Sequence, residues 1–308
     1  MAIVLQESLR GLFYAPFYAA LALDAYGKEG LDVRFVSAPE PGRAATNLWD
    51  GGIDVTWGGP MRVMQTYAQR ADCDIVCFAE VVTRDPFLLV GREARPAFRL
   101  SELKALRLAS VSEVPTPWMC LQQDLRDAGL DPTALQRVAT NSMAENVAAL
   151  ARGDVDVIQI FEPLVESLVA SGGGHVWYAQ ACRGPTSYTT LYARRGTLER
   201  QRDACLKMTR ALHRTLGWVH DVTPERLADV VAPYFPDVSA RQLAGALARY
   251  KALGIWGQDT VLPRSGYERL RTSLESGGFV AKGADYAEAV DNSLAEQVIA
   301  ETPLPLEV

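Results

Sequence analysis

Two glutamates, Glu80 and Glu162, each follow an apolar run with β character, Asp74 to Ala79 and Val155 to Phe161. Burial at a strand end would raise either carboxyl and suit it to acid/base work or to pairing with a ligand amine. The sequence does not bring the two together, and Glu162 beside Pro163 equally suits the start of a helix, where the dipole favours an acid. Aromatic residues recur at similar positions: Phe13, Tyr14, Trp57, Trp118, Phe161 and Tyr188. They offer stacking faces for a flat ligand, with Tyr and Trp adding a polar handle. Phe13 and Phe161 equally suit core filling. Trp57 stands beside Gly58 and Gly59, as the close approach of a ligand to the backbone would require. Gly11, Ser112, Thr116 and Asn141 complete the candidate ligand-binding set. Thr116-Pro117 opens a helix whose free N–H groups would receive a negative group, and Asn141 would add polar selectivity. Arg62, Arg84 and Arg183 lie near predicted loops, where a sulfonate would find cations.

Other chemistries lack their residues. Of the three histidines, His213 and His220 fall in a helical tail and His175 follows a glycine run, so none serves a Ser-His-Asp arrangement. Five cysteines (73, 77, 120, 182 and 205) are scattered without Cys-x-x-Cys or metal spacing and read as mostly buried free thiols. The glycine runs at 51–52, 58–59 and 172–174 match neither dinucleotide nor P-loop patterns. No cofactor, metal or catalytic residue is expected. Lys+Arg 31 against Asp+Glu 37 gives a net charge of -6 with no basic-aromatic surface, which argues against nucleic acid. No run reaches the roughly 18 apolar residues of a membrane span, and MAIVLQESLR lacks the basic and apolar regions of an export signal.

The elements that position these residues alternate. The chain has 308 residues, 48% of them hydrophobic, close to the ceiling for one core, so two lobes are expected. Strand character at Ile3 to Leu5, Leu31 to Val36, Ile53 to Trp57 and Asp74 to Ala79 alternates with helical character after Pro16, at Thr46 to Trp49 and at Met61 to Arg70. The plan repeats with strands at Leu106 to Ser110, Leu135 to Ala139 and Val155 to Phe161, and helices at Thr116 to Ala128 and Ala144 to Ala151. Such alternation predicts an α/β fold with largely parallel sheets. Leu48-x-x-Gly51-x-Ile53-Asp54-Val55 reappears as Leu150-x-x-Gly153-x-Val155-Asp156-Val157, offset 102, and Gly30-Leu31-Asp32 as Gly129-Leu130-Asp131, offset 99. Two matches at nearly one offset imply duplicated lobes. From Leu198 the pattern is helical: Leu198 to His220, Pro224 to Tyr234, Ala240 to Leu253, Tyr267 to Glu275 and Tyr286 to Ile299. This tail must pack on a lobe already built.

Ala15-Pro16-Phe17-Tyr18-x-Ala20, Gly30-Leu31-Asp32-Val33, Ala128-Gly129-Leu130-Asp131-Pro132, Glu162-Pro163 and Tyr286-x-x-Ala289-Val290-Asp291-Asn292-Ser293-Leu294-Ala295, in this order, carry a resemblance. The chain resembles type II periplasmic binding proteins, in the NMT1/THI5-like branch of thiamine-pyrimidine-precursor, alkanesulfonate, taurine and nitrate binders. The resemblance implies two Rossmann-like lobes joined by two crossing strands, with the helical tail on lobe 1. Lobe 1 would hold 1–88 and 193–308 and lobe 2 would hold 89–192, with crossings near Phe87 to Val90 and Thr190 to Ala193. It further implies a monomeric solute-binding protein that captures a small organic ligand by hinge closure and delivers it to an ABC transporter permease. A periplasmic location follows from the resemblance, while a predicted strand beginning at residue 3 keeps the cytoplasm as the alternative. The aromatic residues and the two strand-end carboxylates tilt the ligand towards a pyrimidine. The alternative is a cytoplasmic enzyme on the same fold, of pyrimidine-synthase, decarboxylase or desulfinase type, although neither a Cys cluster nor a first-loop Cys or His is present.

Overall fold

The structure, a computed structural model, describes residues 2–38 and 40–308. Ten strands form two five-stranded sheets. β1 (Ile3–Glu7), β2 (Val33–Ser37), β3 (Val55–Gly58) and β4 (Ile75–Val82) belong to the first. β5 (Leu88–Gly91), β6 (Arg107–Ala109), β7 (Gln136–Val138), β8 (Val157–Ile160) and β9 (His175–Ala179) make the second, and β10 (Thr189–Arg194) returns to the first. The orders are β2-β1-β3-β10-β4 and β7-β6-β8-β5-β9. In each sheet the first three strands are parallel, and the fourth in order, β10 or β5, runs antiparallel to both neighbours. All eight residues of β4 are buried, which explains its unbroken apolar run: both faces are covered, so no alternation is needed.

The repeated residues do the same work twice. The Asp54 carboxylate accepts the Val4 backbone N–H at 2.9 Å, and its own N–H donates to the Val4 carbonyl at 3.1 Å. The Asp156 carboxylate accepts the Arg107 N–H at 2.8 Å, and its N–H donates to the Arg107 carbonyl at 2.9 Å. Gly51 and Gly153 stand at φ 75° and 83°, and Gly30 and Gly129 at 70° and 74°. Left-handed backbone is cheap only for glycine, so these positions were retained by the turn and not by contacts.

The chain crosses between sheets over 83–87 and returns over 180–188. The sequence placed these crossings at Phe87 to Val90 and Thr190 to Ala193, which lie mostly inside β5 and β10. Residues 189–192, expected in lobe 2, therefore pair with β3 and β4 of the first sheet. The error is physical: apolar runs went to the sheets, and the crossings carry paired polar groups instead. Arg183 binds Asp85 at 2.6 Å and Asp124 at 2.5 Å, and Gln180 donates to Asp85 at 2.8 Å.

Two tail helices are also interrupted. Leu198 to His220 divides at Gln201 into Arg195–Arg200 and Arg202–Asp221, and Tyr286 to Ile299 into Tyr286–Ala289 and Ser293–Glu301. In the second gap the Asn292 side chain accepts the Leu262 N–H at 3.0 Å, a tertiary bond outside the helical repeat. Thr46 to Trp49 is only a short 3-10 turn, Thr46–Leu48. The tail packs on the first lobe through Arg202–Asp221, which lies against Ala15–Ala22 and β4. It also reaches the second lobe. Arg249, on helix Ala240–Leu253, pairs with Glu162 and, at 2.9 Å, with Glu166, while the Tyr250 hydroxyl accepts the Glu162 N–H at 3.0 Å. Helix Arg264–Ser276 lies along Thr116–Asp127, where the Ser276 hydroxyl donates to Gln123 at 2.8 Å.

Candidate functional site

The sheet ends meet around a cavity of about 50 Å³. Ser8 and Leu9 reach it from the loop after β1, and Phe13 and Tyr14 from the short turn that leads into helix Ala15–Ala22. Gly59, Met61 and Arg62 come from the start of helix Pro60–Gln69. The second lobe contributes Val114, Thr116 and Phe161, and the two crossings contribute Phe87 and Tyr188. At the offset of 102, Tyr14 corresponds to Thr116 and Gly59 to Phe161, so equivalent positions of the duplicated lobes line the same cavity.

The apolar part is an aromatic cluster spanning the lobes. Phe13 meets Phe161 edge-on at 5.3 Å between centroids, and Phe161 meets Phe87 at 5.1 Å in the same manner. Tyr188 stands 6.2 Å from Phe13. Each edge-to-face pair adds about 0.5–1.5 kcal/mol beyond the area it buries.

The polar part is hydroxyls and one cation. The Tyr14 and Ser8 hydroxyls are 3.2 Å apart, and the buried Tyr188 hydroxyl has no partner among the described residues. Burial pushes the Tyr14 phenol up to about 12 and raises Tyr188 well above its ordinary value, so both remain neutral donors at physiological pH. Arg62 is half-buried and bonds Gln65 at 2.9 Å, and no carboxylate pairs with it among the described residues. Desolvation lowers its pKa, partly offset by the Tyr192 and Tyr14 phenols. Helices Pro60–Gln69 and Thr116–Asp127 both begin at this cavity without a side-chain cap, adding two positive dipole ends. Among the described residues no acidic side chain lines it.

Of the residues singled out in the sequence, Phe13, Tyr14, Gly59, Thr116, Phe161 and Tyr188 thus share one wall system. The others lie elsewhere. Trp57 is fully buried between Phe17 (4.6 Å, 11° between planes) and Phe35 (5.4 Å, 10°). Its ring joins the first lobe's core, so the adjoining glycines do not expose it to a ligand. Gly58 answers to packing, since a Cβ there would stand 2.9 Å from the Tyr192 hydroxyl. Gly11 lets the Phe13 ring fold back, to 2.7 Å from where a Cβ would be. Trp118 is buried in the second lobe with the Arg137 guanidinium 4.0 Å above its ring. Ser112 is exposed and Asn141 half-buried, and neither lines the cavity. Glu162 faces Arg249 and accepts the Glu166 N–H at 2.9 Å, so it serves the helix start and the tail. Burial raises its carboxyl and Arg249 lowers it. Glu80 lies under a separate groove, and Arg183 is held by two aspartates.

Ser8, Leu9, Met61, Phe87 and Val114 were not singled out in the sequence, and Arg62 only as a loop cation. The offset of 102 carried usable information here: it pairs the segment around Ser8 to Tyr14 with the segment before Thr116, both at strand-to-helix turns.

The pattern of the family described as NMT1/THI5 like matches residues 13–225. A curated relative in Bacillus subtilis (strain 168), the binding protein YtlA, is 27% identical over 297 residues, spanning 96% of this chain and 89% of the relative. The periplasmic aliphatic sulphonate binding protein SsuA from Escherichia coli superposes with a TM-score of 0.76 at 17% identity, over 93% of this chain and 96% of that one. The periplasmic nitrate-binding protein NrtA from Synechocystis PCC 6803 superposes at 0.68 with 16% identity, over 99% and 89%. At these identities the two structures establish the shared two-lobed fold.

Proposed function

The chain belongs to the NMT1/THI5-like family, and from that premise we propose that it is the solute-binding component of an ABC-type importer, closing on a small organic anion with an apolar or aromatic body. The observation that carries the anion is Arg62. A half-buried guanidinium whose partner is the neutral Gln65 amide has lost part of its hydration without gaining a countercharge, and among the described residues no acid lines the cavity to supply one. A carboxylate or sulfonate would supply the missing charge, and the two helix N-termini would add to it. The aromatic cluster suits the remainder of such a molecule. SsuA and NrtA are named for sulphonates and nitrate, both anions, which agrees with this choice.

The pyrimidine preference rested on the aromatic residues together with Glu80 and Glu162, and neither glutamate lines the cavity. The enzyme alternative, drawn from relatives on the same fold, gave the acid/base role to Glu80 or Glu162. A cavity of about 50 Å³ takes roughly four waters, enough for an anionic head group. A larger body enters as the lobes separate. Phe87 and Tyr188, from the two crossings, stand in the wall, so a ligand touching them favours the closed arrangement. Delivery to a permease in the periplasm completes the proposal.

A thermal-shift series with benzenesulfonate, benzoate, ethanesulfonate, nitrate and an aminopyrimidine tests the charge class. A ligand at 100 times its Kd stabilises by about 2.7 kcal/mol. At least one anion is expected to raise Tm and the aminopyrimidine to leave it unchanged. A shift from the aminopyrimidine alone would overturn the anion reading.

A further inference from the structure

Glu80 has no part in the site above. It is fully buried in β4, and among the described residues neither carboxylate oxygen has a hydrogen-bond partner of ordinary geometry. The buried Ser187 hydroxyl is adjacent and acts to lower the Glu80 carboxyl, which burial raises well above its ordinary value. The buried Thr260 hydroxyl has no partner among the described residues, and the Thr260 carbonyl accepts the Glu80 N–H at 2.9 Å. Buried polar groups are almost always satisfied, and leaving a carboxyl without a partner is costly. Glu80 lines a groove of about 400 Å³ between the first crossing (Thr83, Arg84), the second (Pro185) and the tail loop 254–263. The cleft cavity shares no lining residue with it.

The groove's charges are of both signs. Asp259 and Arg84 line it with Glu80, and both are half-buried. Asp259 accepts only the Val261 N–H, at 2.8 Å, and Arg84 forms no ion pair with either acid among the described residues. Opposite charges that border one groove and do not reach each other leave both ends for a molecule that carries both. We propose that this groove binds a small zwitterion of the amino-acid type, its ammonium toward Glu80 and Asp259 and its carboxylate toward Arg84. The Ser187 hydroxyl beside Glu80 would accept a further ammonium hydrogen. A single ammonium would leave Arg84 unmatched, and a single carboxylate would stand against two acids.

The test titrates the full chain by calorimetry with glycine, β-alanine and 4-aminobutyrate, a series that varies the charge separation. Methylammonium and acetate serve as single-charge controls. At least one zwitterion is expected to bind saturably, and each control about tenfold or more weaker. Glu80→Gln keeps the shape and removes the carboxyl that would ionise against the ammonium, and it is expected to weaken binding by about tenfold or more, as is Arg84→Gln. Asp259→Asn, at the groove edge, gives the same reading should Glu80→Gln fail to fold. Arg62→Ala is expected to leave zwitterion binding intact, which separates this groove from the cleft. Absence of saturable binding, or binding indifferent to both Arg84→Gln and Asp259→Asn, would overturn the proposal. Methylammonium binding as tightly as the zwitterions would overturn it in favour of a plain cation site.

Discussion

Two equivalent stretches, Asp54 to Gly59 after Gly51 and Asp156 to Phe161 after Gly153, show what the duplication kept and what it released. At their starts the lobes agree atom for atom: Asp54 and Asp156 each bind the backbone of the neighbouring strand through carboxylate and N–H. Three residues later they part. Trp57 fills an aromatic stack, whereas its counterpart Gln159, also fully buried, donates to the Pro117 carbonyl at 2.9 Å and to Gln180 at 2.5 Å. At the cleft, Gly59 corresponds to Phe161. Positions that satisfy the backbone were held in common, and positions that meet side chains diverged, with the cation Arg62 coming from the first lobe and aromatic rings from both.

The sharpest contrast is in stability. Trp57→Ala is expected to cost about 4 kcal/mol by chemical denaturation, since it empties a site packed on both ring faces. Gln159→Ala is expected to cost about 2 kcal/mol, mainly through the partners it leaves unmatched. Equal costs would mean that the two cores are not organised differently.

Next in size is the link between the second lobe and the tail. Arg249→Ala leaves Glu162 buried without its cation and is expected to lower stability by about 3 kcal/mol. Arg249→Ala together with Glu162→Gln is expected to recover much of that loss. No recovery in the double variant would show that the pair is incidental to the contact.

The shared aspartates provide a finer comparison. Asp156→Ala is expected to cost about 2 kcal/mol and Asp54→Ala about 1 kcal/mol, because Asp156 also holds the Arg107 side chain at 2.8 Å. The Arg107 hydrogen bonds keep the Asp156 carboxyl at about 2. With the folded value below the unfolded one, near ~3.9, its contribution is complete above about pH 4 and is lost as pH falls towards 2. Denaturation midpoints from pH 5 to 2 should therefore fall less steeply for Asp156→Asn than for the parent chain, and parallel curves would contradict this assignment.

Much of this architecture was legible because backbone requirements leave marks in sequence. The repeated glycines at 30, 51, 129 and 153 mark left-handed turns in both lobes, and the alternation of elements announced the α/β architecture. The crossings were misplaced because a polar segment satisfied by Asp85, Gln180 and Arg183 reads like an ordinary loop. The site was half legible. Strand ends could be located, but which way Trp57 turns, and that Glu162 has Arg249 for a partner 87 residues away, depend on packing that no local pattern records.

The most direct measurement is calorimetric titration of the parent chain and Arg62→Ala with the anion that gives the largest thermal shift. Removing one member of a buried charge pair costs about 3 kcal/mol or more, so affinity is expected to fall by roughly a hundredfold or more while the unliganded Tm stays unchanged. An Arg62→Ala chain that binds the anion as tightly as the parent would contradict the claim that this cleft selects its solute by charge.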